Sequence, residues 1–270
     1  MTRIIHLVET TSTNQFLKEN ASHLSSCQEK PFTASSEESI TVVVADYQTA
    51  GKGQGTNTWE SEKGKNLLFS ILVHPTTLPI ERQYILSEAA ALSYKEVLDA
   101  YTEDISVKWP NDIYWQDRKV SGTLIETSLS KGVFKDFIIG TGINVNQKEF
   151  RSDAPNPVSL CQITGREIPL EEVQDRMVEK FEEYYQMVID GAYDTISKRY
   201  HEALYRKEGL FPYRDRNGEF TASIDHVKDN GHLVLKDADG NAREYAFKEV
   251  QFIMHNAEFL ENEVRKMRNA

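Results

Sequence analysis

The stretch from Gln48 to Trp59 constrains this chain more than any other. It reads Gln48-Thr49-Ala50-Gly51-Lys52-Gly53-Gln54-Gly55-Thr56-Asn57-Thr58-Trp59, with Lys52 as its one charge, and it follows directly on the apolar run Ile40 to Ala45. A short apolar run rich in β-branched residues reads as a buried strand. A chain leaving such a strand through three closely spaced glycines can turn backbone N–H groups inward and form a concave anion site, where Lys52 adds a full positive charge. That equipment suits a phosphate, or a carboxylate about to meet one. The loop is not a Walker A site, because neither Gly51-Lys52 nor Gly64-Lys65 has the glycine five positions earlier. Taken alone, it reads equally as a long flexible hairpin.

Composition narrows the partners. The net charge of −11 argues against a nucleic-acid footprint, and acidic pairs such as Glu37-Glu38, Glu171-Glu172 and Glu182-Glu183 read as solvated faces. No apolar run approaches the ~20 residues needed to span a bilayer. Met1-Thr2-Arg3 enters a short strand, Ile4 to Val8, with no charged-then-apolar leader before it. Cys27 and Cys161 lack metal-type spacing and suit a reducing, cytoplasmic setting.

Thr13 or Asn14 caps a first helix to about Ser22, which puts Ser12-Thr13-Asn14 where free N–H groups point outward. Strands are expected at Ile40–Ala45 and Asn66–Val73, then a long amphipathic helix from Leu78-Pro79 to about Ala100. Ser106–Trp109, Ile113–Tyr114, Thr123–Thr127 and Phe134–Ile139 read as strands, Leu170–Ile189 as a long helix and Thr195–Tyr205 as a third. Beyond about residue 206 the hairpin dipeptides Asn217-Gly218, Asn230-Gly231 and Asp239-Gly240 predict a small β-barrel to residue 254, followed by a charged tail over 255–270.

The loop has companions. Thr11-Ser12-Thr13-Asn14 precedes it; Lys108-Trp109-Pro110-Asn111-Asp112, Asp117-Arg118-Lys119-Val120-Ser121-Gly122 and Gly140-Thr141-Gly142-Ile143-Asn144-Val145-Asn146 follow it. In this order and at these separations the five pieces resemble the catalytic domain of the biotin protein ligases, closely from about residue 4 to 147. The resemblance implies an α+β fold: a mixed β-sheet with helices packed on it, of the class II synthetase and biotin–lipoate ligase type, over residues 1–206. An SH3-like barrel over 207–254 completes it. Some members of the family carry an N-terminal helix-turn-helix; with Ser12 this close to residue 1, the form without that regulator is expected here.

The implied chemistry is attachment of biotin to a lysine of a biotin carboxyl carrier domain through biotinyl-5′-AMP, with Mg-ATP, by a monomer or homodimer. Bringing a carboxylate to a phosphate needs positive charge where charge builds, and Lys52 and Lys119 are the candidates. The resemblance makes Asn111 and Asp112 ATP-side residues, Asp112 a holder of Mg²⁺ and Asn144 an adenylate contact. Ser12, Thr13 and Gln48 match positions that hydrogen-bond the ureido ring, with Asn14 beside them, and Gly122 matches a position where a missing side chain admits the ligand. Gly51, Gly53 and Gln54 belong to the nucleotide loop. Trp59 either stacks near the adenine or serves as a plain hydrophobic anchor. The family loop carries two arginines where this chain has Lys52 and Gln54, which implies looser adenylate retention, or Lys63 or Lys65 as substitute. A lipoate–protein ligase and a weakly active biotin or nucleotide sensor are the alternatives.

Overall fold

A computed structural model describes residues 2–26, 39–152 and 156–254. Cys27, the acidic pair at 37–38 and the tail over 255–270 lie outside the described residues. The chain divides into two compact units, Met1–Tyr205 and Arg206–Ala270.

The first unit is built on seven strands: β1 (Thr2–Leu7), β2 (Ile40–Ala45), β3 (Leu67–Val73), β4 (Ile105–Lys108), β5 (Asp112–Trp115), β6 (Arg118–Ser130) and β7 (Val133–Ile143). Their order is β1-β2-β3-β7-β6-β5-β4. β1 and β2 pair in parallel, and every other neighbouring pair is antiparallel, so the sheet is mixed. Helix α1 (Thr13–Ser26) covers one face. Its Leu17 and Ala21 pack on Val43, Leu72 and Ile138 of β2, β3 and β7. Helices α2 (Tyr84–Asp99), α4 (Leu170–Ile189) and α5 (Tyr193–Glu202) form the other layer, with α3 (Leu160–Thr164) a single turn between β7 and α4. Phe69 of β3 meets Tyr94 of α2 edge-on at 5.6 Å. β3 is buried at every position, as a strand covered on both faces must be.

Several boundaries differ from the sequence reading. The second helix starts at Tyr84, because Pro79 precedes a short 3₁₀ turn, Ile80–Arg82, rather than opening an α-helix. β6 runs well past Thr123–Thr127 in both directions and β7 runs from Val133, one residue before the expected start, on to Ile143, since their antiparallel pairing continues through polar residues to a tight turn at Lys131-Gly132. The second unit is a five-stranded antiparallel sheet: β8 (Phe211–Asp215), β9 (Gly218–Val227), β10 (Leu233–Asp237), β11 (Ala242–Tyr245) and β12 (Gln251–Phe252), ordered β11-β10-β9-β8-β12. No helix among the described residues is long and apolar enough to cross a membrane.

Candidate active site

The α1 face of the sheet carries a row of missing side chains. Gly122 of β6 pairs with Gly142 of β7, and Gly140 of β7 pairs with Ser70 of β3. These glycines make room for two specific groups. A Cβ at Gly142 would lie 2.2 Å from Cε2 of the Trp59 indole, and one at Gly122 would lie 2.9 Å from its Cζ3. A Cβ at Gly140 would lie 2.0 Å from Oδ1 of Asn14. The sheet thus offers a slot for the indole and a notch for the asparagine.

The start of α1 is brought to the loop by main chain. Thr49 and Ala50 donate N–H bonds to the carbonyls of Thr10 and Thr11, extending the β1–β2 pairing by a few residues. Gln48 Oε1 then accepts from the Thr13 N–H at 2.8 Å and from the Thr13 hydroxyl at 3.1 Å. This is a helix N-terminus whose orphan donor is satisfied by a side chain from another segment. With Oε1 so engaged, Nε2 is the end of Gln48 available to a ligand, and the Ser12 hydroxyl has no partner among the described residues.

Asn14, expected beside the ureido-ring contacts, is tied on both ends of its amide to the sheet. Its Oδ1 accepts from Ser70 Oγ at 2.6 Å, and its Nδ2 donates to Glu126 Oε2 at 2.9 Å and to the Leu124 carbonyl at 3.3 Å. The Ser70 hydroxyl lies 2.6 Å from the Thr13 hydroxyl as well. Ser70 and Glu126 lie outside the motifs. Nothing in their local sequence marks them; only the cross-strand register brings them beside α1.

Glu126 also accepts from Lys18 Nζ at 2.5 Å. Partial burial on its own would raise its pKa, but hydrogen bonds from Lys18 and Asn14, with the charges of Lys18 and Lys52, outweigh that and hold the carboxyl below its ordinary value. A carboxylate whose folded pKa is depressed adds stability that is present above its unfolded pKa and lost as pH falls through the folded one. Acid unfolding followed by circular dichroism is therefore expected to show a loss of stability below the ordinary glutamate range that Glu126→Gln reduces. An unchanged acid limb in the variant would contradict this.

The glycine loop closes on itself. Gly53 donates its N–H to Asn57 O at 2.8 Å, Trp59 to Gly51 O at 2.9 Å, and Lys52 bridges to Thr58, so residues 51–59 form a small hairpin with Gly55 in the left-handed region at the turn. The expected inward-facing nest of amides is absent at Gly53, because hairpin pairing takes its N–H. Lys52 is exposed and donates to Gln15 in the first turn of α1 at 3.3 Å. Gln54 is exposed. Lys63 is exposed also, and Lys65 lies 3.6 Å from Glu167.

The charged centre is formed by Lys119 and Asp112, whose Nζ and Oδ2 are 2.7 Å apart with both side chains about a fifth exposed. Lys119 Nζ stands 6.0 Å from the Trp59 ring centroid, and a Cβ at Gly122 would meet it at 3.0 Å. The Trp59 Nε1 is buried and has no hydrogen-bond partner among the described residues. An orphaned indole donor beside a lysine–aspartate pair is a site built for an acceptor.

The turn that carries Asp112 is braced from the helical layer. The Pro110 carbonyl accepts from Tyr84 at 2.9 Å and Tyr200 at 2.7 Å, and Asn111 Nδ2 donates to Ser87 Oγ at 3.0 Å. Asn144 is buried; its N–H donates to Val120 O at 2.9 Å, which fixes it one strand from Lys119.

As to metal, no group of three or more His, Cys, Asp or Glu side chains that could hold an ion occurs among the described residues. The donor set fits Mg²⁺ in one way: a hard cation that arrives with a triphosphate needs only one or two carboxylates, and Asp112 supplies one.

Residues 10–144, half of the chain, match the model of the biotin/lipoate A/B protein ligase family. The biotin protein ligase of Aquifex aeolicus, solved in complex with biotin and ATP, superimposes with a TM-score of 0.72 at 27% identity, covering 94% of this chain and 99% of that one. The bifunctional ligase/repressor BirA of Bacillus spizizenii is 29% identical over 212 residues, 76% of this chain and 64% of its own length. Its Escherichia coli counterpart is 32% identical over 146 residues, 54% of this chain and 41% of its own. The chain thus spans less than two thirds of the length of these BirA relatives. It belongs to the biotin/lipoate A/B protein ligase family.

Proposed function

We propose that this protein is an ATP-dependent biotin–protein ligase, joining biotin to a lysine of a biotin carboxyl carrier domain in two steps within a cytoplasmic setting. The observation that carries the reading is the meeting of Lys119, Asp112 and Trp59 over the Gly122–Gly142 slot. The likeness to a ligase solved with biotin and ATP, over nearly the whole of both chains, supports it.

In the first step an oxygen of biotin's carboxylate bonds to the α-phosphorus of ATP and pyrophosphate leaves. Two anions approach, so the barrier falls with positive charge placed where the phosphorus becomes five-coordinate. Lys119 is that charge, kept in place by Asp112 until phosphate oxygens compete for it. Lys52, on the hairpin, approaches from the α1 side. Gln48 Nε2 and the Ser12 hydroxyl, with Thr13, address the neutral ureido ring, which wants donors and acceptors in an apolar slot. Gly51 and Gly53 let the hairpin lie close to the nucleotide, with Gln54 at its turn. Trp59, Asn111 and Asn144 line the adenylate end. Bound Mg²⁺ would neutralise phosphate charge, with Asp112 as its protein ligand.

In the second step the acceptor amine bonds to the acyl carbon, AMP leaves with the bonding pair, and the amine loses a proton. Proximity carries much of the barrier reduction. Incubation with Mg-ATP, biotin and a purified carrier domain, followed by mass spectrometry, is expected to show one lysine adduct of biotin's acyl mass. Pyrophosphate release with no adduct on any carrier domain would contradict the ligase reading.

A further inference from the structure

The chain leaving the hairpin is tied to the segment that follows β7. Glu60, next to Trp59, accepts the Arg151 N–H at 2.9 Å (Oε1) and 3.0 Å (Oε2), and the Ser152 N–H at 2.6 Å. Gln147, almost fully buried, completes the tie. Its Oε1 accepts from the Glu62 N–H at 2.9 Å and Asn66 Nδ2 at 2.6 Å, while its Nε2 donates to Glu149 O at 2.8 Å and to Glu60 at 3.3 Å. The tie thus joins two segments that each lead from a site residue. One carries Trp59 and the other carries Asn144. A recess of about 610 Å³ lies between them, with Glu60, Lys65, Asn146 and Arg151 in its lining.

We propose that Glu60 is a positioning residue for the nucleotide: its carboxylate, bound by two backbone amides, locks the segment after β7 to the hairpin and so fixes the Trp59 indole over the Gly122–Gly142 slot. Ionised carboxylates make the strong form of amide hydrogen bond, and two such donors with an aligned side-chain amide define one position for the chain. Slight burial works against the charged form here, yet hydrogen bonds from the Ser152 side chain and from the Arg151 and Ser152 amides, with the Arg151 charge, hold the carboxyl below the ordinary glutamate value. The lock is therefore closed at neutral pH. The indole N–H has no hydrogen-bond partner among the described residues, so the ring's position depends on the slot glycines, on the main-chain bond from Trp59 to Gly51 and on this neighbouring tie. Among the described residues no hydrogen bond joins the tie to Ser12, Thr13 or Gln48, so biotin binding is expected to be independent of it.

The inference rests on the ligase reading, and its test separates the two. In Glu60→Gln the KM for ATP should rise about tenfold while the dissociation constant for biotin stays within about twofold, since a lost hydrogen bond to a charged group is of that size. The Trp59 part of the fluorescence, isolated by subtracting the matching Trp59→Phe spectrum, should move to longer wavelength as the indole loosens. Ser152→Pro, which deletes the 2.6 Å donor from the other side, should reproduce both effects and serves if Glu60→Gln does not fold by circular dichroism. An unchanged KM for ATP with unchanged Trp59 emission overturns the proposal, as does an equal loss of biotin and ATP binding. If the unaltered protein makes no biotinyl-AMP, the ligase reading falls, and the emission result alone decides for or against the lock.

Discussion

Lys119→Ala is expected to slow formation of biotinyl-AMP by about 10² to 10³, which corresponds to roughly 3–4 kcal/mol of transition-state stabilisation. Two features of the site set that size. Lys119 is the cation at the centre of the site, paired with Asp112 at 2.7 Å, and Lys52 lies on an exposed hairpin hydrogen-bonded to Gln15. Alanine also leaves Asp112 as an uncompensated negative charge facing incoming phosphates. Lys119→Arg should recover little, because a planar guanidinium fork differs in shape and reach from the ammonium that Asp112 holds at 2.7 Å. Biotin-dependent exchange of labelled pyrophosphate into ATP measures the step, and calorimetry should find biotin affinity changed by less than about threefold. A loss below tenfold would remove Lys119 from the central role.

The second large effect is on stability. Gly140→Ala places a methyl 2.0 Å from Asn14 Oδ1, in a buried notch where Asn14 holds Ser70, Leu124 and Glu126 together. Overpacking of this kind costs about 1–3 kcal/mol, and displacing Asn14 adds the loss of hydrogen bonds at about 1 kcal/mol each. Scanning calorimetry should show the first unit melting about 5–10 °C lower. The double variant Gly140→Ala with Asn14→Ala should cost less than the sum of the two, since each removes what the other disturbs. Full additivity, or an unchanged melting temperature, would mean that the notch does not exist.

Much of the fold was legible in the chain for a plain reason: strands buried on both faces, such as β2 and β3, read as unbroken apolar runs, and α2 and α4 show helical spacing over many residues. What was hidden depends on partners distant in sequence. The polar ends of β6 and β7 become strand only because they face each other. The five-residue α3 is too short to leave a period. At the site, Lys119, Asp112 and Trp59 were named from motifs, and the structure brings those three together. Ser70, Glu126 and Glu60 carry no motif and could be found only from register and from the path of the main chain. Asn14 is marked by its motif, and its ties to Ser70 and Glu126 are visible only from the geometry.

On the proposed function, this site activates the carboxylate of biotin. The most direct test supplies Mg-ATP with either biotin or lipoate and identifies the acyl-adenylate by mass spectrometry. Biotinyl-AMP with release of pyrophosphate, and no lipoyl-AMP, is the predicted result. Lipoyl-AMP alone, or bound biotin that is never adenylated, would contradict it.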